Sequence, residues 1–154
     1  MNIDEEYIHY QESITSLNRS WRTLCELETS KAGNAIWSAA YRMALVEYCK
    51  PFKTSYGKNK VKLKLPTPNL DKEELALHEK ILDLRDQVLA HSDLSVLDAS
   101  VSYDKNVSFP VPLIVSNILG ELPKVADIRN LVELVLDGLY SKQGKYEQHY
   151  AEQP

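Results

Sequence analysis

Between Asn34 and Pro51 the chain reads AIWSAAYRMALVEYCK, and this stretch limits the accessible folds more than any other. Gly33 and Asn34 interrupt the pattern before it, and proline's restriction on the preceding residue ends it. Within it Trp37, Tyr41, Ala44 and Tyr48 form one line at helical spacing, and Ile36, Ala40 and Met43 form a second. A helix apolar on nearly every side has to be surrounded, so residues 35–48 are expected as a central, buried helix. At about 100° per residue Glu47 falls on the Ile36/Ala40/Met43 line. A buried carboxylate is costly without a cation. Glu47 therefore either has a cationic partner or leaves the core at the fraying helix end.

Three further segments supply the surroundings. Residues 4–27 carry Ile14, Leu17, Trp21 and Leu24 at helical spacing, with Tyr7 and Tyr10 upstream and three acidic residues, Asp4, Glu5 and Glu6, at the N-terminal end. A helix from Leu70 or Asp71 places Leu77, Ile81, Leu84 and Val88 on a core stripe and His78, Leu82, Arg85 and Leu89 beside it. A last helix from Leu122 or Pro123 carries Val125, Ile128, Leu131, Val132, Val135 and Leu139. Before it, SVLDASVSY and VSFPVPLIV predict a β-hairpin over about residues 95–115, with Pro110 and Pro112 marking an edge strand. The expected fold is mostly α, a bundle of four to five helices with a small β-hairpin inserted before the last. It forms one domain over residues 1–143, and residues 144–154 read as a polar, loose tail.

At 154 residues, 44% hydrophobic and 26% charged, the chain can bury a core. Its net charge of -4 and pI of about 5.6 exclude general nucleic-acid binding by overall charge, so any such binding needs a local patch. One stretch qualifies. Between Glu47 and Asp71 there is no acid, while Lys50, Lys53, Lys58, Lys60, Lys62 and Lys64 recur beside the breakers Gly57, Pro66 and Pro68. It reads as a connecting loop, either touching a phosphate backbone or simply solvated. Cys25 and Cys49 lack metal-ligand spacing and read as reduced, packed thiols, and the acidic N-terminus has no apolar leader core. A cytoplasmic protein without membrane spans is the expectation.

The third helix ends in LRDQVLAHSD. Arg85 and His91 flank its inward face, about 120° apart on ideal helical winding. One reading is structural: Arg85 pairs with Glu47 or Glu74, His91 donates to the last helical carbonyls, and Ser92 or Asp93 caps locally. The other is catalytic. Arginine neutralises a phosphate bidentately, histidine exchanges protons near neutral pH, and Asp86 orients one of them. A metal site built on His78, His91, Asp86 and Asp93 has no HExxH or Cys/His spacing to support it, so no metal or cofactor is expected.

The pattern R-D-x-x-x-x-H at Arg85–His91, late in a core helix and preceded by AIWSAAYRMALVEYCKPF, resembles the HEPN superfamily motif, an arginine, a polar neighbour and a histidine after a short spacer. The resemblance covers residues 32–93 and is similar in wording to HEPN-like proteins of the phage abortive-infection type and their bacterial relatives. It implies an all-α homodimer with the motifs near the interface, and in active members a metal-independent endoribonuclease acting as a toxin or phage-defence effector, at times with an antitoxin partner. Other members are non-catalytic interaction modules. On the ribonuclease reading Arg85, Asp86 and His91 are the catalytic candidates, and Lys53, Lys58, Lys60, Lys62 and Lys64 of the basic stretch are the RNA contacts. Glu47, His78 and Asp93 are supporting residues.

Overall fold

The computed structural model of the chain describes residues 3–86, 98–102, 106, 111–115 and 122–152. Among them four α-helices dominate: α1 (Ile3–Thr29), α2 (Ala35–Cys49), α3 (Lys72–Leu84) and α4 (Val125–Ala151). The local signals are strong. Gly33, at φ +91°, turns the chain into Asn34, whose side chain accepts the Trp37 N–H at 2.8 Å and caps α2. Asp71 and Glu74 form a reciprocal capping box at the start of α3. Pro51 does not stop the second helix outright. The chain tightens into a 3-10 turn over Lys50–Phe52 that buries Pro51 and Phe52.

Helices α2 and α4 both pack along α1, and α3 packs against α2 and α4. The core therefore gathers Leu17 and Leu24 of α1, Tyr41, Leu45 and Tyr48 of α2, Ile81 of α3, and Ile128, Leu131 and Val132 of α4. Ser20 is fully buried at the α1–α2 contact, where its hydroxyl donates to the Ala44 carbonyl at 2.8 Å. The central element is thus α1 rather than α2. One line of α2 is buried as expected, but on the other Ile36 is 82% and Met43 54% exposed. Trp37 is half-buried, stacked on Tyr41 at 5.5 Å, with its indole N–H donating to the Leu27 carbonyl. A helix needs only one covered face, and within the described residues the Ile36/Met43 face has no cover.

The expected hairpin is present as β3 (Asp98–Ser102) and β4 (Val111–Val115), antiparallel, with Val101 opposite Pro112. Pro110 lies outside the described residues. A second, unforeseen hairpin, β1 (Ser55–Tyr56) and β2 (Lys62–Leu63), sits inside the lysine-rich stretch read as a loop. No described helix is long and apolar enough to cross a membrane.

The tail expectation needs correcting, because α4 continues through Ala151. Polarity hid the reason. Tyr146 and Tyr150 are one helical turn apart, and so, nearly, are Tyr7 and Tyr10 on α1. Their rings meet at 5.0–5.4 Å. Tyr146 donates to Glu6 at 3.1 Å and Tyr150 to Asp4 at 2.7 Å. Gly144 lies within this stretch, and a Cβ there would meet nothing within 4 Å. Gly144→Ala is therefore expected to raise stability by about 0.5–1 kcal/mol in denaturant melts. No change would mean that the last turns contribute nothing to the fold.

Candidate functional site

The lysine-rich stretch and the end of α3 meet beside α1. A hairpin with strands as short as β1 and β2 has little stability of its own, and it is pinned from outside. Glu5 of α1 accepts the backbone N–H of Lys58 at 3.0 Å, and Leu65 donates to the Pro51 carbonyl at 2.9 Å. Gly57 permits the first contact, since a Cβ there would stand 2.5 Å from the Glu5 carboxylate. Leu63 and Leu65 are buried beneath.

The regular winding of α3 ends at the motif. Arg85 and Asp86 adopt wider, π-helical winding, and the Arg85 N–H is shared between the Ile81 and Leu82 carbonyls. Such departures concentrate at functional sites. Arg85 Nη1 donates to Asp86 Oδ1 at 2.9 Å, and Lys53 Nζ donates to the other oxygen, Oδ2. Burial pushes the Asp86 carboxyl up, but the hydrogen bonds from Lys53 and Arg85 outweigh this and hold it below the usual carboxylate range. One carboxylate thus fixes two cations, which stay about one-third exposed.

Both cations line a groove of about 640 Å³, joined there by Arg19, Lys50 and Lys58. The carboxylates in its wall are Glu5 and Glu12. Glu5 is engaged by the hairpin backbone, and the balance favours an anion. His9 also lines the groove, and burial lowers its imidazole below the usual value, so it is neutral at pH 7.

Of the sequence candidates, Arg85, Lys53 and Lys58 come together in this groove, with Asp86 orienting Arg85 and Lys53. Arg85 pairs with neither Glu47 nor Glu74. Glu47 is buried and takes Lys50 as its cation at 2.5 Å, and Glu74 belongs to the cap of α3. Lys60, Lys62 and Lys64 do not line it. His78 lies in the core, its Nδ1 2.7 Å from the Tyr48 hydroxyl. His91 and Asp93 lie outside the described residues. Cys49 is buried, which pushes its thiol up to about 12 and leaves it inert.

Two groove residues escaped the sequence reading, His9 and Arg19. Their signal was a polar stripe, His9, Glu12, Ser16 and Arg19, repeating every three to four residues along α1. Read alone, such a stripe is the wet side of an amphipathic helix. Only the hairpin folding back over α1 makes it a wall. Among the described residues, no three His, Cys, Asp or Glu side chains gather as a metal site would need. No family model, curated protein or solved structure matches the chain.

Proposed function

We propose that the groove binds the backbone of single-stranded RNA and that the chain is a metal-independent endoribonuclease of HEPN type acting as a homodimer. The observation that carries this is Arg85, the arginine of the motif, held by Asp86 in a groove with Arg19, Lys50, Lys53 and Lys58. A guanidinium grips two phosphate oxygens and offsets the charge that builds on them as the phosphorus is attacked. A neutral imidazole takes the proton from the ribose 2′-hydroxyl, the 2′-oxygen attacks phosphorus, the bond to the 5′-oxygen breaks, the imidazolium so formed gives that proton up to the departing 5′-oxygen, and a 2′,3′-cyclic phosphate forms. The motif assigns the imidazole to His91, and His9 is a second imidazole within the groove. The exposed Ile36 and Met43 support a second copy as their cover.

The Arg85–Asp86 bond favours one other reading, a non-catalytic HEPN-like module, because an arginine already paired meets a ligand with part of its charge offset. Cleavage of single-stranded RNA in EDTA separates the two. The wild-type chain is expected to sediment as a dimer and to cut, and His91→Ala to dimerise without cutting. RNA bound but uncut from about pH 6 to 9, the range in which an imidazole loses its proton, leaves the module reading. If cutting survives His91→Ala but not His9→Ala, the imidazole role moves to α1. A chain that neither binds nor cuts RNA removes the assignment.

A further inference from the structure

A second groove, of about 520 Å³, adjoins the first, and His9 and Leu63 line both. Lys62 and Lys64 enter it from the hairpin, and Lys142 and Lys145 from α4. Its aromatic wall is Tyr10 and Tyr146. Tyr10 is buried and gives its hydroxyl to the Leu139 carbonyl, while Tyr146, whose ring packs against Tyr7 and Tyr10, is half-buried and the more accessible of the two. The carboxylate there, Glu6, already accepts the Tyr146 hydroxyl.

We infer that this second groove is an extension subsite for the same RNA strand, resting on the RNA reading above. Four lysines around one engaged carboxylate call for a polyanion, and an aromatic wall beside them suits a base lying next to its phosphate. His9 and Leu63, which line both grooves, form the junction that one strand would cross, with Lys58 on the first side and Lys62 on the second to meet its phosphates. The strand has to be single, because a base reaches Tyr146 only when unpaired and unstacked. Lys62 and Lys64, absent from the first groove, thereby gain a role. So do the last turns of α4, whose packing on α1 builds the second wall.

Binding of 2′-O-methyl oligouridylates, which lack the attacking hydroxyl, tests this on the full chain. Lengths of about 4 and about 12 nucleotides bracket what one groove and two grooves hold. The wild-type chain is expected to bind the longer strand more tightly. Lys142→Ala/Lys145→Ala is expected to erase that gain and to reduce the slope of log affinity against log salt by about 1.4, two single-strand phosphate contacts, for the longer strand alone. Lys72→Ala/Lys80→Ala, exposed on α3, is expected to change neither length. If the short strand binds and the α4 variant keeps the full length gain, the extension subsite is wrong while the RNA reading stands. An equal loss in the α3 variant also overturns it, as a bulk charge effect. Failure of the wild-type chain to bind either strand overturns both.

Discussion

Arg85→Lys is expected to slow RNA cleavage by about a hundred- to a thousand-fold, the usual cost of removing one donor aimed at developing charge. Lysine keeps the positive charge but loses the planar fork that grips two oxygens at once. Affinity for RNA should therefore change far less than the rate. Asp86→Asn makes the complementary case. It removes the anchor of both Lys53 and Arg85 and leaves the groove one unit more positive. Affinity is expected to rise while cleavage falls, which marks Asp86 as a positioning residue rather than a phosphate contact. If rate and affinity instead fall in step in Arg85→Lys, Arg85 only holds RNA and does not stabilise its transition state.

The divergence of those two variants turns on contacts that a one-dimensional pattern shows only in part. Asp86 follows Arg85 directly, so its role in orienting the arginine is local and readable. Lys53 reaches the same carboxylate from 33 positions away, and nothing in its own neighbourhood foretells that. The same division holds for the fold. The stripe Ile14, Leu17 and Leu24 and the start of α3 at Asp71 follow from period and capping, both local. Ile36 and Met43 look like core because they are apolar, but which face of α2 is covered depends on where α1 runs. Tyr146 and Tyr150 look like tail because their neighbours are polar, yet ring contacts with Tyr7 and Tyr10 across the bundle hold the helix in place.

The other large effect lies in the core, at His78. Its ring is 2% exposed and stands edge-on to Phe52 at 4.7 Å. Burial raises the Tyr48 hydroxyl far above the usual phenol range, so it keeps its proton and stays paired with Nδ1 of the neutral ring, 2.7 Å away. Burial, reinforced by Lys64, lowers the imidazole below its usual value of 6.5. Above that pH both folded and unfolded chains hold it neutral and its contribution is complete. As pH falls below it, the unfolded chain takes up a proton that the fold resists, and stability declines until the depressed folded value is passed. His9, lowered by burial in the same direction, adds to the slope. Urea melts from about pH 7.5 down to about pH 5 are expected to show this decline, and His78→Asn to flatten it. Tyr48→Phe leaves Nδ1 buried without its partner and is expected to cost about 1–3 kcal/mol at neutral pH. Tyr48→Ala also empties the ring's place and is expected to cost about 3–5 kcal/mol. Because His78 does not line the groove, none of these losses should change RNA affinity per folded molecule. A pH slope that is the same in the wild-type chain and in His78→Asn would show that the buried pair does not set the acid limit of the fold.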